Sequence, residues 1–229
     1  MMDYDTVYTN DPIYPDRILI SIFYGDSTYY VKGAISRETN TREGIWRQYY
    51  PNGRFSSIAD FKYGKKNGVS VIFRSDGKVG TEEEYMNNKL HGRRIRYNAT
   101  GKIISSEWYK EGELDGPTVK FYENGYKQEE SNWKDGKKHG SVLWYYNDGF
   151  KAADYNYIYG KLEGVQIIYY DDGTLRNETT YVDGVKQGPY KEYYQGGGLS
   201  QEGEHKDGEK FGQWIYYEED GSIDRKQKF

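Results

Sequence analysis

Glycine recurs every 24 residues along this chain, at Gly44, Gly68, Gly92, Gly116, Gly140, Gly164, Gly188 and Gly212, with no insertion or deletion between copies. A fixed period of this length means a stack of small supersecondary units, none of which can bury a core alone. A second set lies nine residues after each anchor, from Gly53 and Gly77 to Gly197 and Gly221. A third follows twenty residues after the anchor, at Gly64, Gly112, Gly136, Gly160, Gly184 and Gly208, with Asn40 and Asn88 at the same phase. Asn is the usual substitute where φ must be positive.

Counting each anchor as zero, the fifth position is aromatic in all eight copies: Tyr49, Phe73, Tyr97, Phe121, Tyr145, Tyr169, Tyr193 and Tyr217. The seventeenth is aromatic at Phe61, Tyr85, Tyr109, Trp133, Tyr157, Tyr181 and Phe229, and departs only at His205. Each unit reads as strand, tight turn, longer strand and second turn, one β-hairpin per repeat. Asn52-Gly53, Asp76-Gly77, Asn124-Gly125, Asp148-Gly149, Asp172-Gly173 and Asp220-Gly221 mark the first turn.

A two-residue loop at that turn would put the fifth and seventeenth positions on opposite faces. A three-residue loop ending in a left-handed glycine would put them on one face. The second choice also gathers there the third position (Val71, Ile95, Val119, Leu143, Ile167, Ile215) and the eleventh (Phe55, Val79, Ile103, Leu175, Leu199, Ile223). The expected fold is therefore all-β: an elongated single-layer antiparallel sheet, a β-ribbon or shallow trough roughly 75 Å long at the usual strand spacing. One face carries an aromatic and aliphatic ladder. The other is polar, with Glu82, Glu130, Asp154, Glu178 and Glu202 at the fourteenth position and an exposed tyrosine row at the sixth.

The expected organisation is a loosely ordered N-terminus over 1–16, a degenerate capping hairpin over 17–43 turning at Gly25-Asp26, and eight repeats over 44–229.

Composition narrows the function. A hydrophobic share of 35% speaks against a thick core, while 27 Tyr and 5 Trp speak against disorder. The formal net charge is −4, with Lys and Arg interspersed among Asp and Glu, so no basic stripe exists for nucleic acid. The absence of cysteine removes disulfides and thiolate metal sites. Met1-Met2-Asp3-Tyr4-Asp5 lacks the basic and apolar regions of a signal peptide, and no run is long enough to span a bilayer, so a cytoplasmic location is expected.

No catalytic, metal or cofactor site is expected. His91 and His139 share one phase, immediately before an anchor, and read as structural. The acidic column repeats in like environments, whereas acid and base catalysis needs carboxylates in unlike ones. Trp144, Tyr146, Tyr170, Tyr194, Trp214 and Tyr216, with Tyr122 in the column of Tyr146, are the expected partner-binding residues, since Tyr and Trp anchor protein interfaces.

The pattern running from Gly164 to Gly188, with its paired tyrosines, Asp-Gly turn, central Glu and second Asp-Gly, resembles the MORN-repeat variant of bacterial antitoxin-like and immunity-like proteins. The resemblance extends over nearly the whole chain from about Thr41. It implies a twisted β-ribbon without catalytic residues, serving as a scaffold or as a protein that neutralises a partner toxin or effector domain, with members often encoded beside toxins. MORN repeats are also associated with phospholipids, but the basic clusters this would need are sparse. A structural adaptor, or a binder of carbohydrate or envelope surfaces using the tyrosine row, is the alternative.

Overall fold

A computed structural model describes residues 4–229. The described residues contain strands and turns and no helix, and they divide into two compact units, one ending at Glu113 and the other beginning at Leu114. The first holds β1 (Asp5–Asn10), β2 (Arg17–Phe23), β3 (Tyr29–Ser36), β4 (Arg42–Tyr49), β5 (Phe55–Lys62), β6 (Lys65–Phe73), β7 (Val79–Met86), β8 (Lys89–Tyr97) and β9 (Ile103–Lys110). The second holds β10 (Glu113–Phe121, from its second residue), β11 (Lys127–Lys134), β12 (Lys137–Tyr145), β13 (Lys151–Ile158), β14 (Lys161–Leu162), β15 (Gly164–Tyr169), β16 (Leu175–Val182), β17 (Val185–Tyr193), β18 (Leu199–Lys206), β19 (Glu209–Tyr217) and β20 (Ile223–Lys228). Within each unit consecutive strands pair antiparallel, so each is an open single-layer sheet of successive hairpins.

The first turn is the three-residue loop. In β12–β13 the Tyr146 amide donates to the Phe150 carbonyl at 2.8 Å and the Gly149 amide to the Tyr146 carbonyl at 3.0 Å, with Gly149 at φ 96°. In six of the eight turns the residue before the glycine is Asp or Asn, whose side chain accepts the amide just after the glycine, as Asp148 does from Phe150 at 3.2 Å and Asn124 from Tyr126 at 3.1 Å. The second turn is a two-residue loop with both residues left-handed, such as Asp183 (φ 53°) and Gly184 (φ 87°) between paired Val182 and Val185.

The expected placement of the fifth and seventeenth positions on one face is incorrect. Tyr145 pairs with Lys151, but Trp144 pairs with Ala153 and Gly140 with Tyr157, so a bulge directly after the turn takes back the register step that the loop introduced. The same shift occurs in all eight repeat hairpins. Tyr145 and Tyr157 therefore point to opposite sides. The third, fifth and eleventh positions do share a face, and the acidic fourteenth position joins them: Tyr145 donates its hydroxyl to Glu130 at 2.6 Å, and Tyr217 to Glu202 at 2.8 Å. This side is the open face.

The packed face carries the second, fourth, thirteenth, fifteenth and seventeenth positions, and the most deeply buried side chains lie there: Trp46, Ala59, Ser70, Ser105, Glu107, Thr118, Glu129, Ser131, Val142, Ala153, Thr179 and Trp214. Across the hairpins the fifteenth position faces the second, Ala59 with Ser70, Ser131 with Val142 and Thr179 with Tyr190, and the fifteenth is the small member where the second is large.

The expected loose N-terminus also needs revision, apart from residues 1–3, which lie outside the described ones. Strand β1 pairs with β2 from Asp5 opposite Phe23 to Asn10 opposite Ile18. Arg37 fixes it by donating to the Asn10 side chain at 2.5 Å and to the Pro15 carbonyl at 2.8 Å. Residues 17–43 contain the β2–β3 hairpin, whose loop has the repeat's geometry with Ser27 (φ 70°) in the glycine's place. Ile20, Val31, Ile35, Trp46, Ala59 and Phe61 form the apolar cluster of this unit.

Candidate functional site

The tyrosines at the sixth position are not an exposed row. Each sits at the start of the first turn, where its side chain reaches the next hairpin of the stack. The hydroxyl of Tyr122 donates to the Tyr145 carbonyl at 2.8 Å, Tyr146 to Tyr169 at 2.7 Å, Tyr170 to Tyr193 at 2.8 Å and Tyr194 to Tyr217 at 2.6 Å. In the first unit Tyr50 does the same to Phe73 at 2.8 Å, and Arg74 takes the role toward Tyr97 at 2.8 Å. These four expected binding residues are staples between repeats, each worth about 0.5–1.5 kcal/mol.

Trp214 is also not a surface residue. It is fully buried, its indole N–H donates to the Glu204 carbonyl at 3.1 Å, and its ring covers Gly203 so closely that a Cβ there would collide with it. Lys210 lies over the ring at 3.9 Å and Phe229 packs edge-on at 6.2 Å. The first unit contains the same assembly: Trp46 covers Gly33, donates to the Ala34 carbonyl at 2.9 Å, carries Arg42 at 4.4 Å and meets Phe61 at 6.2 Å.

Trp144 and Tyr216 remain half-exposed on the packed face of the second unit. Lys138 sits 4.5 Å above Trp144, and also 5.8 Å from Trp133 and 5.7 Å from Tyr157. Tyr216 holds Arg225 at 4.2 Å over its ring and receives a hydrogen bond from Lys210 at 3.0 Å. Tyr155, Tyr157 and Tyr181 extend the same surface, each raised in pKa first by burial.

Two buried carboxylates mark the packed face, one in each unit. Glu107 receives Arg94 and Arg96, the latter at 2.8 Å, and the Tyr109 hydroxyl at 2.9 Å. Glu129, 2% exposed, receives Lys120 at 2.9 Å and Lys138 at 2.8 Å. Burial alone would push both carboxyls up. Hydrogen bonds and the paired positive charges outweigh it and hold both below the ordinary range. The same burial, with the hydrogen bond to Glu107, pushes the Tyr109 hydroxyl to about 12. Ionised acids locked between cations have no proton to exchange near neutrality, which suits a structural role.

The histidines also have explicit roles. Nδ1 of His91 accepts the Glu111 amide and Nδ1 of His139 the Tyr159 amide, each at 3.4 Å. In six of the eight repeats the residue before the anchor thus closes the next second turn, as Glu43, Asp115, Glu163 and Gln187 do for Tyr63, Asp135, Asp183 and Asp207. That column of acceptors was readable in the sequence as Glu, His, Asp or Gln at one phase. The pairing of the second and fifteenth positions was not, because their chemistry changes with every copy.

Among the described residues no group of three or more His, Asp or Glu is placed to hold a metal ion, and there is no helix long and apolar enough to cross a membrane. Consecutive hairpins stapled by side chains define a tandem β-hairpin repeat protein. The MORN repeat variant family matches the chain at residues 42–62 and 162–183. Repeats of that kind are non-enzymatic and generally bind proteins or membranes. No curated protein matches the chain.

Proposed function

We propose that the chain is a non-catalytic protein-binding repeat protein of the cytoplasm, acting as an immunity or antitoxin partner that occludes a toxin or effector domain. The observation that carries this reading is the packed face of the second unit. There the backbone repeats, while the fourth position runs Lys120, Trp144, Ile168, Glu192, Tyr216. Uniform geometry with locally varied chemistry, including half-exposed Trp144 and Tyr216, suits recognition of one particular protein surface. The test is titration calorimetry against the product of the adjacent gene. Nanomolar affinity lost in W144A/Y216A supports the reading, and absence of binding ends it.

A carbohydrate-binding alternative is favoured by one feature. Tyr155, Tyr157 and Tyr181 lie on one face and their hydroxyls donate to no group among the described residues, an aromatic floor with hydroxyls left for a ligand. Retention on a glycan array, lost in Y155F/Y181F, would select it over the protein partner.

A further inference from the structure

The open face of the second unit departs from the repeat at its second-turn side. At the two positions flanking that turn, other repeats place Lys62 opposite Lys65, Met86 opposite Lys89 and Lys134 opposite Lys137. Repeat six places Val182 opposite Val185, 50% and 46% exposed. At the position before the anchor, where the other repeats carry polar residues, Phe211 stands 49% exposed. Strand β17 adds Pro189, directly opposite Glu204, which in turn faces Phe211. Where every other repeat keeps at least one charged residue across this turn, as Met86 with Lys89 and Ile158 with Lys161, repeat six has valine on both sides, and Phe211 stands where other repeats carry a polar residue, with no gain in burial to account for either.

Two hollows open between them. One, about 440 Å³, is formed by Val182, Val185, Gln187 and Asp207. The other, about 470 Å³, is formed by Pro189, Lys191, Glu202, Glu204, Phe211 and Ile215 with their neighbours. The backbone of Gly203 forms part of the floor of the second. Their rims are acidic: Glu202, Glu204, Asp207 and Glu209 have no cation within ion-pairing distance among the described residues. Two lysines share the area, Lys191 opposite Glu202 and Lys206 at 5.2 Å from the Phe211 ring, which leaves an excess of negative charge.

We propose that this surface docks a protein segment in which aliphatic residues alternate with Lys or Arg, the aliphatic groups filling the hollows and the cations meeting the unpaired carboxylates. Exposed apolar side chains within an acidic rim fit such a segment and repel an acidic one. The surface lies on the other side of the sheet from Trp144 and Tyr216. It depends on the chain being a protein binder, but not on which partner it neutralises.

The test uses the full chain and three short synthetic peptides, alternating Lys-Leu, Lys-Ser and Glu-Leu, followed by fluorescence anisotropy. The decisive variant is V182K/V185K, which copies the Lys62–Lys65 and Lys134–Lys137 pairs of the same turn and so keeps a side-chain combination this fold already holds. The Lys-Leu peptide should bind the native chain and lose about tenfold in affinity in the variant. Equal binding of Lys-Ser, equal binding of Glu-Leu, no binding of Lys-Leu, or indifference to V182K/V185K would each overturn the proposal. W144A/Y216A should leave Lys-Leu binding unchanged, so failure of the toxin-neutralising reading and failure of this one are told apart.

Discussion

The indole of Trp214 lies on the backbone of Gly203 and leaves no room for a methyl group between them. Gly203→Ala must displace the ring or the strand, costing about 1–3 kcal/mol of overpacking. Urea unfolding should show that loss, and a second change, Trp214→Val, the residue repeat five carries at this position, should remove most of the added penalty. An additive double mutant would contradict the contact.

Tyr146→Phe keeps the ring and removes only the hydroxyl that reaches Tyr169. A destabilisation of about 1 kcal/mol is expected in chemical denaturation, with a native-like circular dichroism spectrum. If the proposed surface around Trp144 and Tyr216 meets the partner, affinity should not change, because the Tyr146 hydroxyl is spent on the neighbouring repeat. A lost partner with unchanged stability would restore Tyr146 to the binding surface.

Glu129→Ala leaves Lys120 and Lys138 facing each other across a buried gap. Removing one partner of a fully buried pair costs about 3–5 kcal/mol; with Lys120 42% exposed, about 2 kcal/mol is the expectation. Because the Glu129 and Glu107 pKa values are lowered from 4.5, their contribution is complete above that pH and lost as pH falls through the lower folded-state values. Denaturation midpoints between pH 6 and pH 3 would check this.

His205 occupies an otherwise aromatic column, edge-on to Tyr190 at 5.3 Å and to Trp214 at 5.1 Å, with Nδ1 buried and without a hydrogen-bond partner. Burial, then Lys186 and Lys210, lower its pKa from 6.5. The unfolded chain therefore takes up a proton that the folded one refuses, and stability should decline as pH drops below 6.5. His205→Phe should flatten that slope in thermal melts at pH 7.5 and pH 5.5; an unchanged slope would assign it to other groups.

Period, hairpin content and turn type were legible in the sequence because glycine and Asx residues have few alternatives where φ is positive. Asp183-Gly184 and Asp148-Gly149 each specify a turn almost alone. Facing was not legible, because Tyr145 and Tyr157 are separated by a bulge at Lys151–Ala153 that no turn residue announces. The placement of the tyrosine column was hidden for the same reason. A tyrosine column looks alike whether its hydroxyls meet water or the neighbouring carbonyl, and only the step from Tyr146 to Tyr169 distinguishes them.

The staples from Tyr122 to Tyr145 and from Tyr146 to Tyr169 join one hairpin to its immediate neighbour. Excising one 24-residue period within a unit therefore brings together ends that already fit, and the shortened chain should close over the gap with its contacts intact. Copy number becomes a heritable variable: gene slippage in whole periods can lengthen or shorten the sheet without asking the fold to be reinvented.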